Sequence, residues 1–325
     1  MTTRDSVLEA LKAAGDAGVS GESIAGELGV SRVAVAKHVK VLRSAGYGIV
    51  AELGAGYRLV SVPDAPLPAE VAPALESVLW VRLEGGGETA STNDDARALA
   101  RSGAPEGTVV LASRQTAGRG RLGRTWVSPG GGAYLSVVLR PPVAPLEVAP
   151  LSLVVGTGVA RGLARLGADV QLKWPNDVQL AGRKLAGVLL EMAAEADRVE
   201  WVVAGVGLNV HPPVGAESAA SAHGVAYLSD VVPGIRIAEA TAAVLDGIGG
   251  AYAEWLAAGF APMRAEYDSR SSLGGRHVVV SDMSGVARAE GEVVGVDDGG
   301  RLLVAGGSGV QAVAAGEVTL RGTAS

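Results

Sequence analysis

Cysteine is missing from the 325-residue sequence, and its absence narrows the chemistry that the chain can perform. Without cysteine there is no disulfide, no thiolate nucleophile and no cysteine-ligated metal site. Histidine is scarce as well, and the four residues (His38, His211, His223 and His277) lack the spacing of metal ligands. Any acyl intermediate must therefore be something other than a protein thioester.

Apolar segments long enough for a membrane are also missing. No apolar run reaches the ~20 residues that span a bilayer, and the first residues lack the apolar core of a signal peptide. The formal net charge of −6 argues against a chain that coats nucleic acid along its whole length, although it permits a local basic patch. We therefore expect a soluble, cytoplasmic protein with no membrane partner.

The length and the apolar content are sufficient for more than one core. A single core stops growing at ~250–300 residues, so 325 residues with 48% apolar side chains predict two or three domains. Four prolines between Val62 and Pro73 indicate a linker, and short Val-rich runs after Gly275 indicate a small antiparallel barrel. We predict an α+β chain with this organisation: an N-terminal domain at 1–62, a Pro-rich linker at 63–78, a mixed α/β domain at 79–271 and the barrel at 272–325.

The N-terminal segment has the pattern of three helices and a hairpin. Val7, Leu8 and Leu11 share one face of a first helix, and Ser20 and Ser31 can each cap a further helix. Two strand-like runs follow, 49–52 and 57–60, joined by a turn with two glycines. This order is typical of a winged helix-turn-helix, whose third helix enters the DNA major groove.

Polar and basic residues lie on the predicted third helix, with no acidic residue between them. The candidate DNA-binding residues are Ser31, Arg32, Lys37, His38, Lys40 and Arg43. The alternative is a helical interaction module with a solvated basic face. Seven basic residues oppose six acidic residues within Met1–Val62, so one copy would bind DNA weakly and we expect specific binding to require a dimer.

A run rich in glycine and arginine lies between Gln115 and Trp126. Its glycines let the backbone approach a ligand closely, and its arginines add positive charge. The residues are Gly118, Arg119, Gly120, Arg121, Gly123 and Arg124. The pattern predicts a loop that closes over an anion such as a phosphate; the alternative is a solvated basic loop or a nucleic-acid-binding segment. Strand-like runs at 109–112 and 134–139 favour the first interpretation.

A second cluster follows the end of a predicted strand. Lys173, Asn176 and Asp177 lie together around a proline turn, and a hairpin at 181–182 brings Lys184 back towards them. A lysine there can hold a carboxylate or a phosphate, and Asp177 is a candidate ligand for Mg²⁺. The alternative for Lys184 is an ordinary surface lysine.

Two further segments contribute weaker signals, and two apparent motifs are rejected. Ser91, Thr92 and Asn93 precede a predicted helix at 94–102 and could simply cap it. Gly205 and Gly207 permit close packing or ligand approach in a buried strand that ends at Asn209. The glycines between 156 and 162 indicate helix packing rather than dinucleotide binding, and the sequence contains no P-loop.

Taken in order, these segments resemble the family of bifunctional biotin protein ligases and biotin operon repressors. The resemblance covers essentially the whole chain. Its most specific parts are Gly118–Arg124, Lys173–Asp177, Arg183–Gly187 and Gly205–Asn209. It implies a central biotin/lipoate-ligase-like domain and a C-terminal SH3-like barrel.

The activity that the resemblance implies has two steps. Biotin and MgATP give biotinyl-5′-AMP and pyrophosphate, and the adenylate then reacts with a lysine of a biotin carboxyl carrier domain. The resemblance also implies a repressor of biotin genes that uses biotinyl-5′-AMP as corepressor and binds operator DNA as a ligand-promoted homodimer.

The resemblance further assigns residues to roles. The expected biotin site is Ser91, Thr92, Asn93, Gln115, Arg119, Gly120, Arg121, Lys184, Gly187 and Gly205. The expected ATP and adenylate site is Arg119, Arg121, Arg124, Trp126, Lys173, Asn176, Asn209 and Arg321, with Glu317 beside it. The expected catalytic residues are Lys184, Arg119 and Asp177, the last also for Mg²⁺. One departure is Leu122, where the best-known member has another arginine.

Three other functions are compatible with parts of this pattern. The first is a ligase whose helix-turn-helix represses nothing or has another target. The second is a transcription factor that senses a small molecule without catalysis, against which Lys184 and the Gly118–Arg124 loop argue. The third is a lipoate ligase, against which the same loop and the fused N-terminal domain argue.

Overall fold

The computed structural model describes residues 2–52, 54–213, 224–282, 284–307 and 309–320. Arg321, assigned above to the nucleotide site, lies outside the described residues. The chain divides into two compact units, Met1–Asp64 and Ala65–Ser325. The predicted boundary at 271/272 falls within the second unit and stays a prediction.

The first unit is a small helical domain with a two-stranded hairpin. Its elements are α1 (Thr3–Ala14), α2 (Gly21–Leu28), α3 (Arg32–Ser44), β1 (Gly48–Glu52) and β2 (Gly56–Ser61). Each helix begins where the sequence offers a hydroxyl cap: the side chains of Thr2, Ser20 and Ser31 accept from backbone N–H groups in the first turn. The predicted order of three helices and a hairpin is confirmed.

The second unit contains five α-helices among its described residues. They are α4 (Pro68–Val71), α5 (Thr92–Arg101), α6 (Leu151–Arg165), α7 (Ile237–Ala258) and α8 (Arg264–Arg270), the first of which is a single turn. Short 3-10 turns lie at Ala72–Ala74, Arg121–Gly123, Pro145–Val148, Leu228–Asp230 and Ala261–Met263.

The strands of the second unit form two larger sheets and one short pair. They are β3 (Arg82–Gly85), β4 (Glu88–Thr89), β5 (Thr108–Ala112), β6 (Arg114–Gln115), β7 (Gly132–Leu139), β8 (Gln171–Lys173), β9 (Asp177–Leu180), β10 (Arg183–Ala194), β11 (Val199–Asn209), β12 (His277–Ser281), β13 (Ala287–Val296), β14 (Leu302–Gly306), β15 (Gly309–Val313) and β16 (Glu317–Leu320). Within the described residues, the central sheet has the order β3-β5-β7-β11-β10-β9-β8.

Helices cover both faces of the central sheet: α6 and α7 lie on one face and α5 lies on the other. Along β11, Val202, Ala204 and Val206 belong to the main core, which α6 and α7 share, whereas Trp201 and Val203 pack with α5 on the other face. Because side chains alternate along a strand, Gly205 and Gly207 lie on the same face of β11 as Trp201 and Val203, the face that α5 covers. That side carries the candidate site.

Helices α6 and α7 pack closely because both have glycine at their contact. A Cβ added at Gly158, Gly162 or Gly247 would collide with the backbone of the facing helix, as the predicted packing role requires. Residues 145–165 are long and apolar enough to cross a membrane by length and composition, but 72% of the most apolar stretch is buried within the fold. This burial is typical of a core helix.

The C-terminal strands pair as an antiparallel sheet in the order β15-β14-β13-β12-β16, within the described part of the chain. The Val-rich runs after Gly275 therefore form antiparallel strands, as predicted. Their inward side chains, including Val278, Val280 and Val304, join the main core.

Most of the segment predicted as a linker, 63–78, folds as part of the second unit. Proline is compatible with the first turn of a helix, because the N–H that it lacks has no partner there. Pro68 begins α4 in this position, and the following Val71 is fully buried. The backbone N–H groups of Glu76 and Ser77 donate to the buried carboxylate of Asp246.

Candidate active site

A cavity of about 350 Å³ lies on the α5 side of the central sheet. Its floor is formed by positions in β10 and β11 at which the chain has glycine, Gly187, Gly205 and Gly207. A Cβ at Gly207 would lie 2.5 Å from the indole of Trp126, and one at Gly205 would overlap the side chain of Asn93. These glycines are therefore required for the close approach of side chains from elsewhere in the chain.

Most residues expected at the site line this one cavity. They are Ser91, Thr92, Asn93, Gln115, Arg119, Gly120, Arg121, Arg124, Trp126, Lys173, Asn176, Asp177, Lys184, Gly187 and Gly205. Asn209 is an exception: it lines a neighbouring cavity, to which Trp126 and Lys184 also contribute. The structure brings together segments that are up to 114 positions apart in sequence, but the roles of these residues stay predictions.

A chain of hydrogen bonds runs along one end of the cavity. Helix α5 begins two residues earlier than predicted, which places Thr92 and Asn93 in its buried first turn. The amide and the hydroxyl of Thr92 both contact Gln115 Oε1, at 2.8 and 3.2 Å. Ser136 Oγ lies 2.8 Å from Thr92 Oγ1 and 2.6 Å from Asn93 Oδ1. Ser91 occupies the N-cap position and is buried, but its side chain makes no cap hydrogen bond, so helix capping does not account for this segment.

Arg119 is held by carboxylates rather than being free. Its Nη2 donates to Asp94 Oδ1 at 2.8 Å and to Glu191 Oε2 at 3.0 Å. Arg97 bridges the same two carboxylates from α5. The positive charge predicted for an anionic ligand is thus balanced at Arg119 by protein groups.

Arg121 has a different environment. Its guanidinium makes no hydrogen bond to another described residue, and burial lowers its pKa below the ordinary value, although Asp177 and Glu317 oppose that shift. Lys173 also lines the cavity, and no ion pair to it exists among the described residues. An anion in the cavity would compensate both cations.

Lys184 and Trp126 form the opposite wall. Lys184 Nζ lies 2.7 Å from Asp177 Oδ1 and 4.9 Å from the centre of the Trp126 ring. The carboxylate and the face of the ring both hold the ammonium in place at this wall of the cavity. The indole N–H of Trp126 is buried and has no hydrogen-bond partner among the described residues, so it can donate to an acceptor atom of a ligand.

The Gly118–Arg124 loop is anchored at its base and open at its tip. Trp126 N–H donates to Gly118 C=O at 2.9 Å, and Gly120 N–H donates to Arg124 C=O at 2.7 Å. At the tip, Leu122 has a φ of 59°, in the left-handed region, and is exposed. Arg124 pairs with Glu317 of β16, which joins the loop to the C-terminal sheet.

A divalent metal has few protein ligands at this site. The described residues contain no group of three or more His, Asp or Glu side chains that could hold a metal. Asp177 supplies one carboxylate. A single carboxylate fits Mg²⁺ that arrives with substrate phosphates, because Mg²⁺ commonly keeps several waters and takes few protein ligands.

The residues expected to bind DNA lie on α3 of the first unit. Arg32, Lys37 and Lys40 are exposed, and no ion pair to them exists among the described residues. Ser31 instead caps the helix through its hydroxyl, which accepts from Ala34 N–H at 3.1 Å. Arg43 Nε donates to Ile49 C=O at 2.8 Å, so Arg43 also fixes the hairpin against the helix.

Ser136, Asp94 and Glu191 belong to the site but were not predicted. Ser136 lies in the otherwise apolar strand β7, and Glu191 follows an apolar run in β10. An isolated polar residue in such a run is the signal that could have identified them. Both contact Asn93, from positions 43 and 98 residues away. The chemistry of the cavity suits an elongated ligand with a polar head at the Thr92–Gln115 end and an anionic group near Lys184, Arg121 and Lys173.

Family models match three successive segments of the chain. Residues 3–58 match an HTH domain, residues 86–209 match the biotin/lipoate A/B protein ligase family, and residues 273–321 match the biotin protein ligase C-terminal domain. The three matches follow the chain in this order.

Individual proteins show the same likeness. The chain is 34% identical to a bifunctional ligase/repressor BirA of Bacillus spizizenii over 98% of this chain and 99% of that protein. It is 37% identical to a biotin–[acetyl-CoA-carboxylase] ligase of Paracoccus denitrificans over 72% of this chain and 98% of that protein. A solved structure of the Aquifex aeolicus biotin protein ligase in complex with biotin and ATP is 28% identical, with a TM-score of 0.63 over 74% of this chain and 99% of that one.

Proposed function

Because this chain belongs to the biotin/lipoate A/B protein ligase family, we propose that it activates biotin with ATP and transfers it to a lysine of an acceptor protein. Its N-terminal unit binds operator DNA and represses biotin genes, with biotinyl-5′-AMP as corepressor. The observation that carries the ligase function is the meeting of the Gly118–Arg124 loop, Lys184 and the Thr92–Gln115 pair around one cavity.

The first step joins two anions. An oxygen of the biotin carboxylate attacks the α-phosphorus of ATP, the bond to the β-phosphate oxygen breaks, and pyrophosphate leaves. Lys184, Arg121 and Lys173 place positive charge where the negative charge grows, which lowers the barrier. Mg²⁺, with Asp177 as its candidate ligand, would neutralise phosphate charge when bound.

The second step needs no protein nucleophile. The acceptor lysine, as a free amine, attacks the acyl carbon of biotinyl-5′-AMP, and AMP leaves with the bonding electron pair. The loop over the cavity excludes water from the mixed anhydride until the acceptor arrives. Thr92, Asn93 and Gln115 bind the ureido ring of biotin through their hydrogen-bonding side chains.

The acceptor is the biotin carboxyl carrier domain of a biotin-dependent carboxylase, and the protein acts in the cytoplasm as a ligand-promoted homodimer. The decisive assay combines the full-length chain with a purified carrier domain, biotin and MgATP. We expect biotin on the carrier lysine, and none when biotin or ATP is omitted. Labelling by lipoate but not biotin, or no labelling, would contradict the ligase function.

Substitution of Gly205 by alanine tests the biotin end of the cavity. The new methyl group must displace Asn93 and break its contacts with Ser136 and Glu191. We expect biotin affinity, measured by calorimetry without ATP, to fall about tenfold or more. Such a decrease corresponds to the loss of one or two hydrogen bonds to a polar ligand. Gly250→Ala is the matched control, since its Cβ would meet no atom within 4 Å; equal affinities in both variants would count against this assignment.

Substitution of Lys37 and Lys40 by alanine tests DNA binding separately. Each change removes one phosphate contact, so affinity for biotin-operon promoter DNA falls and the slope of log K against log salt decreases by about one per lysine. Arg4→Ala, which removes an exposed charge from α1, is the control. Gel shifts at several salt concentrations measure both. Unchanged binding by the double variant, or no binding by the wild type, would favour a ligase without this repressor function.

A further inference from the structure

Glu191 is a charged residue on an otherwise apolar part of β10, and its side chain is only 22% exposed. Oε2 accepts from Asn93 Nδ2 at 2.8 Å and from Arg119 Nη2 at 3.0 Å. Oε1 accepts from Arg97 Nη1 at 2.9 Å. One carboxylate thus joins α5, the Gly118–Arg124 loop and the central sheet.

These contacts continue the hydrogen-bonded chain at the biotin end of the cavity. Gln115 contacts Thr92, Thr92 contacts Ser136, and Ser136 contacts Asn93. Asn93 then donates to Glu191, which holds Arg119. A continuous path of charged and polar groups therefore links the residues that face the ligand ring to the base of the loop.

The loop is held unequally along its length. Arg119 at its base has two carboxylate partners, of which Glu191 is the more buried at 22% exposure, and Arg119 itself is 36% exposed. At the tip, Arg121 makes no hydrogen bond to a described residue, and Arg124, which is 67% exposed, has the single carboxylate partner Glu317 among the described residues. Exposed pairs contribute little because water screens them, so the base is the strongly held part.

We propose that Glu191 is a positioning residue: it holds Arg119, and through it the base of the loop, in the place from which the loop retains biotinyl-5′-AMP. This inference rests on the proposed ligase function and adds a residue to it. Glu191 is not among the residues that line the cavity. It acts through Arg119 on the lifetime of the bound adenylate more than on the affinity for biotin.

Glu191→Gln separates these two effects. The amide keeps the size of the side chain and an oxygen that accepts from Asn93, but it loses the charge that binds Arg119 and Arg97. We expect biotin affinity without ATP to stay within about threefold of wild type and release of biotinyl-5′-AMP to become about tenfold faster, the value of one charge-assisted hydrogen bond. A general loss of structure would change both quantities.

The experiment uses the full-length chain loaded with biotin and α-labelled ATP in the absence of acceptor. After dilution into unlabelled biotin and ATP, the label that remains bound gives the release rate. Glu195→Gln, which removes a carboxylate from the exposed end of the same hairpin, is the control and releases at the wild-type rate. The double variant Glu191→Gln/Arg119→Met should release no faster than the faster single variant, because the two residues act through each other.

The positioning role would be overturned if Glu191→Gln released biotinyl-5′-AMP at the wild-type rate. It would also be overturned if the increase in release rate in the double variant equalled the product of the increases in the two single variants. Both results leave the ligase function intact, since labelled adenylate would still have formed. If the wild-type chain accumulates no biotinyl-5′-AMP at all, the proposed function fails and this inference fails with it.

Discussion

Replacing Lys184 with alanine will slow pyrophosphate release from biotin and ATP by about 10²–10³-fold, the usual cost of removing one preorganised charge from a transition state. Lys184 Nζ lies 2.7 Å from Asp177 Oδ1 and over the face of the Trp126 ring, so the ammonium is fixed before substrates arrive. A fixed charge stabilises a developing anion without reorganisation during the reaction. Removing it also leaves Asp177 unpaired beside the reacting phosphate.

The measurement is pyrophosphate release at saturating biotin and ATP, with folding checked by thermal unfolding. Arg198→Ala removes an equal charge from the exposed β10–β11 turn, where the side chain is 69% exposed, and should leave the rate unchanged. Lys184→Arg should remain impaired, because a planar guanidinium does not replace a compact ammonium. A wild-type rate in Lys184→Ala would show that the lysine is an ordinary surface residue.

Replacing Arg119 with alanine will uncouple the two steps. The base of the loop loses its bonds to Asp94 and Glu191, so the adenylate escapes or is hydrolysed before the acceptor reacts. We expect pyrophosphate released per biotin transferred to rise about tenfold or more, as for loss of a charge-assisted bond. The chain should still fold, because Arg97 continues to bridge both carboxylates.

Arg114→Ala provides the matched control, since Arg114 lies on β6 and pairs with Glu88 at the surface. It should transfer one biotin for each pyrophosphate released, like the wild type. If Arg119→Ala lowers pyrophosphate release and transfer equally, then Arg119 acts in the chemical step itself and not in retaining the adenylate.

The sequence predicts the elements well because their signals are local. Serine caps, helical spacing and the turn at Ala181 and Gly182 act within a few residues, and the structure confirms the helices and strands they predict. The three-domain order and the family follow from the same short segments. The glycines of α6 were correctly assigned to helix packing for the same reason.

What the sequence could not provide depends on long-range contacts. Glu191 meets Arg119 across 72 positions, so the sequence alone could not show that this arginine is neutralised by protein carboxylates. Asn209 lines a neighbouring cavity and not the one that holds the other site residues. This placement depends on Trp126, whose side chain lies between the two cavities and lines both. The prolines before residue 78 indicate a linker because proline is excluded from helix interiors. Proline is compatible with the first turn of a helix, but the sequence does not show that α4 begins at Pro68.

The most direct test of two-step biotin transfer is a single turnover carried out in two stages. Full-length protein is mixed with biotin and α-labelled MgATP without acceptor, and bound label and pyrophosphate are counted. We predict one pyrophosphate and one bound biotinyl-5′-AMP per chain, followed, on addition of the carrier domain, by labelled AMP in solution and biotin on the carrier lysine. Transfer without prior pyrophosphate release, or bound adenylate that the carrier cannot consume, would contradict it.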